Sequence, residues 1–353
     1  MAKGFGLKIF RMGHTTRTKG GMKMKQTIIL SAAALALTTM SVSAQTPMRC
    51  SHQLPPTHAI AGVIDRWAER VEELSDGEID VQVFAAASLV GPNENIVSVA
   101  RGEIECAFSV NFQWGRTLPI MNVTLAPYAF SDMDIWRNWH ASEAAEFLNE
   151  RIAERGLVNV VWLFQTNSSV FTARGSQLVA PEDFQGMKIR GLTPSFDAAL
   201  AALGAVPSAM PGSDVYQALA TGVIDGAITD VAAAVARRYY EVQDHFSIVP
   251  VIAVYFHGYV NPSFHGGLSD TGREALEQAG REAAVWAVEA AEEAIAAAPD
   301  QLRAQGVTVY ELTEEENAEL EAVMRPAFDD ALRAEADEAA HLLELIEQLR
   351  AGM

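Results

Sequence analysis

Strand-like and helix-like segments alternate along most of this 353-residue chain, and this alternation constrains its fold more than any other feature. Apolar residues recur with a helical period over residues 57–75, whereas residues 79–84 alternate apolar and polar as a half-buried strand does. The last third is helical in pattern, over residues 269–297 and again over 314–350. Further strands are predicted at residues 49–54, 105–110, 158–164, 187–191, 226–229 and 248–260. Strands separated by helices are typical of βαβ units, so we predict an α/β fold with a mostly parallel sheet.

One segment is echoed 120 residues further along without a gap, since residues 88–107 align with residues 208–227. Each copy would begin a helix at a capping residue, end it at a glycine and continue into a strand. The matching pairs are Asn93 with Ser213, Gly102 with Gly222, and Glu105 with Asp225. Any αβ unit can use such residues, so chance similarity is one reading. The other is two similarly built lobes facing each other, with a cleft between them that suits a small ligand.

The N-terminus is basic and is followed by an uncharged stretch. Residues 1–44 contain seven Lys or Arg residues and no acid, and residues 27–44 carry no charge. A basic region, an apolar run and small residues up to Ala44 are typical of a secretory signal peptide, so we predict cleavage after Ala44 and export. An uncleaved membrane anchor is the alternative, although the run is short and weakly apolar for one.

Composition and motifs argue against several kinds of function. With 26 Lys or Arg against 45 Asp or Glu, the chain has a net charge of −19 and no basic cluster for binding nucleic acid. After residue 44 there is no nucleophile-elbow, phosphate-loop or zinc-protease motif. We therefore expect no cofactor, no metal and no nucleic-acid partner.

The two cysteines fall on neighbouring predicted strands. Cys50 lies on the first strand and Cys106 on the third, and these strands would be adjacent in a doubly wound sheet. A disulfide could form in an oxidising compartment, but adjacent parallel strands offer poor geometry for one. We expect two buried free thiols.

The most specific pattern lies between Ala180 and Asp230. It contains P-E-D-F-Q-G-M-K-I-R at 181–190, L-G-A at 203–205, M-P at 210–211 and D-V-Y-Q-A-L-A-T-G-V-I-D-G at 214–226. This pattern resembles the substrate-binding subunits of TRAP (tripartite ATP-independent periplasmic) transporters. Residues 51–58 and 102–107 also match, so the resemblance extends from about residue 49 to about residue 271.

The resemblance implies a two-lobe, periplasmic-binding-protein-like α/β fold that closes on its ligand and has a long C-terminal helical region. Residues 45–165 and a return segment at about 251–300 would form lobe I, residues 166–250 lobe II, and residues 301–353 helices that pack on the lobes. The implied ligand is a small organic anion, usually a carboxylate, delivered in the periplasm to membrane permease subunits. We expect a monomeric binding protein and not an enzyme.

Arg190 is the predicted anchor for that anion. On the predicted strand at 187–191, Lys188 and Arg190 share one face, and Met187 and Ile189 share the other. A guanidinium at a strand end in a cleft suits a bidentate carboxylate. The alternative is an internal ion pair with an Asp or Glu.

Departures from the family pattern bear on the charge of the ligand. Ser169, in the segment that starts at Asn167, occupies the position where many members carry a second Arg. Thr229 stands where the family has Asn, and the acid Asp230 follows it. A single guanidinium beside an added acid favours a monoanionic or zwitterionic ligand over a C4-dicarboxylate. The remaining predicted contacts are Gln53 and Asn111 at strand ends, Asn167 itself, and Phe112 and Phe164, aromatic residues that are more often core than cleft lining.

Two other classes of protein are alternatives. An exported lyase or hydrolase could use the same lobes, although the missing nucleophile–base motifs argue against it. A ligand-sensing module docked to a membrane receptor is the other. Neighbouring genes for permease subunits would favour transport, and genes for a kinase or receptor would favour sensing.

Overall fold

The computed structural model describes residues 45–352, which form two β-sheets with helices around them. The strands are β1 (Thr46–Ser51), β2 (Ile79–Phe84), β3 (Cys106–Val110), β4 (Val158–Thr166), β5 (Ser169–Ala173), β6 (Lys188–Gly191), β7 (Val206–Ala209), β8 (Gly226–Asp230), β9 (His245–Val249), β10 (Val254–Val260) and β11 (Thr308–Glu311). The helices are α1 (Ala59–Leu74), α2 (Asn95–Ala100), α3 (Met133–Asn138), α4 (Glu143–Glu154), α5 (Pro194–Ala202), α6 (Gly212–Ala220), α7 (Val231–Ala236), α8 (Pro262–Gly267), α9 (Asp270–Ala304), α10 (Glu314–Glu335) and α11 (Ala339–Ala351). The predicted signal peptide, residues 1–44, lies outside the described residues.

The first sheet has the strand order β2-β1-β3-β10-β4, and the second has the order β11-β9-β5-β8-β6-β7. Each sheet contains one strand that runs against all the others, β10 in the first and β5 in the second. The expected mostly parallel sheet is therefore corrected to two mixed sheets. Both exceptional strands are reached through short links, residues 167–168 and 250–253, and neither link contains the crossover helix that the βαβ pattern assumes.

Most predicted elements are present. β2 has the predicted bounds. His58 is the N-cap of α1, and its Nδ1 accepts a hydrogen bond from the Ile60 amide at 3.2 Å. The predicted strand at 248–260 is instead two strands, because the chain leaves one sheet at Val249 and joins the other at Val254. β5, β7 and β11 were not predicted, and β11 lies within residues 301–353, where we expected only helices.

The internal echo is structural, with one copy in each sheet. The glycines that end the two copies, Gly102 and Gly222, have φ angles of 72° and 71°, a left-handed conformation that side chains disfavour. The predicted caps are wrong. α2 starts after Glu94 and α6 after Pro211, and neither cap makes a side-chain hydrogen bond.

The two cysteines form a disulfide, which contradicts the expected free thiols. Cys50 on β1 lies directly opposite Cys106 on β3, with 4.4 Å between their Cα atoms. That separation is at the short end of the range that a disulfide spans, so the register of the two parallel strands brings the side chains together after all.

The long helix α9 supports both sheets. Its first part buries small apolar residues from Ala275 to Ala291 in the larger core, and its end buries Ala298 and Leu302 in a second core beside the second sheet. No helix within residues 45–352 has the length and apolar character needed to cross a membrane.

Candidate functional site

A small cavity of about 20 Å³ lies between the two sheets. The first sheet and the segments next to it contribute Gln53, Val110, Phe112, Gln165, Ile252, Val254 and Phe256, and the second sheet and its helices contribute Arg190, Gly212, Thr229, Asp230 and Arg237. Polar groups concentrate where strands end, because Gln53 follows β1, Gln165 lies near the end of β4, and Asp230 ends β8. Strand ends are where α/β sheets usually hold their ligands.

Arg190 is buried on the second-sheet side of this cavity, with 1% of its surface exposed. Nη1 donates to the Ile228 carbonyl at 3.0 Å, and Nε donates to the Met210 carbonyl at 3.2 Å. The guanidinium carbon lies 5.2 Å from the ring centre of Phe112. Burial lowers the pKa of Arg190 to about 10, so the side chain still carries its charge at neutral pH. No carboxylate within residues 45–352 lies within 4.0 Å of Arg190, so the alternative of an internal ion pair does not hold.

Asp230 is a buried acid in the same cavity. Gln165 Nε2 donates to Oδ2, and the Ala232 amide donates to Oδ1 at 2.6 Å. Burial raises the pKa of Asp230 to about 6, although these hydrogen bonds and the positive charge of Arg237 oppose the rise. His58 Nε2 lies 3.8 Å from Oδ2. Burial lowers the pKa of His58 to about 3, so this ring is neutral and does not form an ion pair with Asp230 at neutral pH.

Three polar atoms that line the cavity have no hydrogen-bond partner among residues 45–352. They are Oε1 of Gln53, Oε1 of Gln165 and Nη2 of Arg190. Buried polar groups nearly always have a partner, and an unsatisfied charged donor is the most costly case. The cavity therefore offers one free charged donor and two free acceptors, a combination that suits a polar, anionic molecule.

A larger cavity of about 150 Å³ adjoins the first one at Phe112, which lines both. Asn93, Gln113, Thr193 and Asp197 supply its polar groups. Burial raises the pKa of Asp197 to about 6, and its Oδ1 accepts a hydrogen bond from the Leu192 amide at 2.9 Å. The two cavities together offer an end lined by a buried guanidinium and a roomier polar end.

Five of the nine predicted contacts line the small cavity, namely Gln53, Phe112, Arg190, Thr229 and Asp230. Four do not. Asn111 is buried and donates to Thr124 Oγ1 and the Ala253 carbonyl, and Ser169 donates to the Val249 carbonyl at 2.7 Å. Asn167 donates to the Ser131 carbonyl, and Phe164 stacks on Trp136 with 4.8 Å between ring centres.

The cavity also contains residues that the sequence reasoning missed. Gln165 lies at a strand end, as Gln53 does, so the same rule could have found it. Arg237 follows α7, where a cation would ordinarily be interpreted as a partner of the helix dipole in solvent. Lys188, which was predicted to share a strand face with Arg190, is exposed and does not line the cavity.

Two α/β sheets joined by short links, with a buried guanidinium facing a cavity between them, define a two-lobe solute-binding protein. The chain belongs to the family described as bacterial extracellular solute-binding protein, family 7, whose model matches residues 50–335. This confirms the resemblance to TRAP substrate-binding subunits and the two-lobe α/β fold with its helical C-terminal region.

Similar proteins agree with this assignment. The C4-dicarboxylate-binding periplasmic protein DctP of Rhodobacter capsulatus is 28% identical over 309 residues, which cover 85% of this chain and 90% of that protein. A TRAP periplasmic solute-binding protein of Roseobacter denitrificans, solved with β-D-glucuronate, is 26% identical, with a TM-score of 0.79 over 85% of this chain and 99% of that chain. A third, from Desulfovibrio salexigens with bound orotic acid, has a TM-score of 0.82 at 21% identity over 86% of this chain and 98% of that chain, and shows the shared fold.

Proposed function

We propose that this chain is the periplasmic, monomeric solute-binding component of a TRAP transporter. It captures a small organic anion, singly charged or zwitterionic, in the cavity between its sheets and delivers it to the membrane permease. Residues 1–44 act as the export signal and are removed after Ala44. Residues 45–165 with about 251–300 form lobe I, and residues 166–250 form lobe II.

The buried guanidinium of Arg190 is the observation that carries this proposal. Two backbone carbonyls hold its Nε and Nη1, while Nη2 has no partner within residues 45–352. A charged group left unpaired in a protein interior costs several kcal/mol. A carboxylate beside Nη2 would remove that cost and form a charge-assisted hydrogen bond with a guanidinium that is already fixed in place.

The bound molecules of similar proteins support the ligand class. The relative from Rhodobacter capsulatus is named for C4-dicarboxylates, and the two solved structures hold glucuronate and orotic acid. All of these ligands carry a carboxylate, which is the group that Arg190 fits. The charge and size of the rest of the molecule differ among them, so these details have to come from the cavity of this chain.

Mass spectrometry of the ligand released by denaturing the purified protein identifies the anion, and calorimetry with that compound measures its affinity. We expect Arg190→Ala to stay folded and to weaken binding by roughly 30- to 5000-fold, since truncating a buried charge pair costs about 2–5 kcal/mol. Lys188→Ala is the matched control, because this exposed cation lies on the same strand, and it should bind as the wild type does. Wild-type affinity in a folded Arg190→Ala protein would refute the proposed site.

A further inference from the structure

A second guanidinium, that of Arg237, lines the same cavity as Arg190. Arg237 follows the last residue of α7, and its guanidinium lies against Gly212 at the start of α6. A Cβ atom added to Gly212 would be 3.0 Å from Cζ, Nη1 and Nη2 of Arg237, closer than such contacts normally are. Because Gly212 has no side chain, the backbone of α6 packs directly against the guanidinium of Arg237.

The next residue, Arg238, has quite different surroundings. Arg238 is exposed and forms an ion pair with Glu241. Arg237 is half-buried, and no carboxylate in the described part of the chain lies within 4.0 Å of it. The two adjacent arginines thus differ in their ion pairing. Arg238 is paired with a carboxylate at the surface, whereas Arg237 lines the cavity and has no carboxylate of the described residues within 4.0 Å.

The charge of Arg237 acts on Arg190, and the charges of both arginines act on the phenol of Tyr239. Burial lowers the pKa of Arg190, and the nearby charge of Arg237 adds to the lowering. Burial also raises the pKa of the Tyr239 phenol, and both guanidiniums oppose that rise. Two like charges that line one cavity repel each other, and an anion bound between them would reduce that repulsion.

The net charge of the cavity follows from its lining. Arg190 and Arg237 contribute two positive charges, and ionised Asp230 contributes one negative charge. His52 and His58 each accept a backbone hydrogen bond at Nδ1, which fixes them as neutral rings. The residues that line the cavity therefore carry one more positive than negative charge, and exposed Asp214, outside the lining, also attracts Arg190. One carboxylate balances that charge, whereas a second carboxylate would add to the negative charge of Asp230.

We infer that Arg237 is the second ligand-binding cation of this site, supplied by the end of α7, and that with Arg190 and Asp230 it selects a singly charged carboxylate. The inference rests on the proposed function and adds Arg237 to the ligand-binding residues. The preference for a singly charged ligand then follows from two guanidiniums offset by one carboxylate, and not from a single guanidinium beside an acid.

The test uses pairs of compounds that differ by one charge and little in shape: succinate with succinamate, and glutarate with glutaramate. D-glucuronate, orotate and pyroglutamate complete the set. Affinities are measured by calorimetry at pH 7.5 for the wild type and for Arg237→Gln, Arg238→Gln, Asp230→Asn and Arg190→Ala. The melting temperature of each ligand-free protein is recorded as well.

We expect the wild type to prefer the singly charged member of each pair. Arg237→Gln should weaken binding by about tenfold or more, while Arg238→Gln leaves it unchanged. Asp230→Asn should move the preference toward the dicarboxylates. Without ligand, Arg237→Gln should melt close to the wild type, because the loss of repulsion from Arg190 is offset by the loss of attraction to Asp230, whereas loss of a structural residue would lower the melting temperature.

Tighter binding of succinate than of succinamate by the wild type, or wild-type affinity in Arg237→Gln, would overturn this inference. If Arg190→Ala still abolishes binding in those cases, the proposed function stands and only the role of Arg237 fails. If the wild type binds neither these anions nor the anion released from the purified protein, or Arg190→Ala binds them as the wild type does, the proposed function itself fails.

Discussion

Asp230 is an acid in a cavity otherwise lined by cationic and neutral side chains, and only 2% of its surface is exposed. Gln165 from β4 donates a hydrogen bond to it, His58 before α1 lies 3.8 Å from it, and Arg237 acts on it through its charge. Burial raises its pKa to about 6, whereas the same carboxyl in an unfolded chain titrates near 3.9. The folded protein therefore holds the proton more tightly. The stability that comes from this difference is greatest below about pH 4 and is lost as the pH rises through 6.

Asp230→Asn keeps the shape of the side chain and cannot ionise. We expect it to melt at a higher temperature than the wild type at pH 7.5 and to lose this advantage as the pH approaches 4. Thermal unfolding of ligand-free protein over this pH range measures the difference between the two proteins. Taking that difference removes the effect of the buried histidines, which both proteins share. Parallel curves at every pH would contradict a buried ionisable carboxyl at this position.

The two arginines show how far single residues can be predicted from sequence. Arg190 lies in an alternating strand inside a specific motif, so its place beside a cleft could be inferred, while its role as the anchor of an anion stays a prediction. Arg237 comes to the cavity only because α7 follows β8 directly and ends beside Gly212, which is a tertiary contact. Ser169 was placed by motif position alone. In the structure it is fully buried, and its hydroxyl bonds the carbonyl of Val249 and the amide of Ile252.

Among the elements, the pairing of β1 with β3 has the clearest energetic consequence. The disulfide joins cysteines 56 residues apart in the chain. Closing a loop of that length lowers the entropy of the unfolded chain, and removing a native disulfide typically costs about 2–5 kcal/mol. Free thiols were expected because adjacent parallel strands usually offer poor geometry for a disulfide. The sequence does not reveal the register that places Cys50 directly opposite Cys106.

The variant Cys50→Ala/Cys106→Ala should therefore lose about 2–5 kcal/mol of its free energy of unfolding. Denaturant unfolding of the variant and of the oxidised wild type measures the loss. Reduced wild-type protein is the control, and its transition should move toward that of the variant. Coincident transitions for all three proteins would mean that the bond contributes nothing to stability.

Strands were easier to predict from sequence than their arrangement. Alternating or continuous apolar runs located β2, β3 and β4 to within a few residues. β7 and β11 are four residues each and half-buried, so they carry little pattern. The switch of sheets at 250–253 cannot be read from apolar content, because Val249 before the link and residues 251–260 within and after it are all buried.

For the molecule as a whole, the links at 167–168 and 250–253 suggest how a ligand enters. The lining of the cavity comes from both sheets, so a ligand reaches Arg190 only when the sheets move apart. Ser169 bonds Val249 just before the second link and Ile252 within it, which keeps the two links together. Short paired links of this kind are suitable hinges for domain closure.

We predict that the protein is more open without ligand than with it. Small-angle scattering of protein freed of ligand by unfolding and refolding should give a larger radius of gyration than the same sample saturated with the released anion. Arg190→Ala should keep the larger value in both conditions. Identical dimensions of the wild type with and without a tight ligand would rule out closure.

The overall charge adds a requirement at this scale. A chain with a net charge of −19 repels small anions over most of its surface, so attraction has to come from local groups. In the proposed site, the guanidiniums of Arg190 and Arg237 would provide it over a short range. Added salt should therefore weaken binding little, since buried charges are screened far less than exposed ones.

The burial of Arg190 also bears on how fast a captured molecule would leave. With 1% of this side chain exposed, an anion bound at Nη2 would be largely shielded from water in this arrangement of the sheets. Under the predicted closure, the dissociation rate of a ligand is limited by the rate of opening, and its residence time reflects the energetics of the hinge as well as the contacts at the guanidinium. Under the proposed function, the permease would then need only to hold the two sheets apart, without competing for the anion itself.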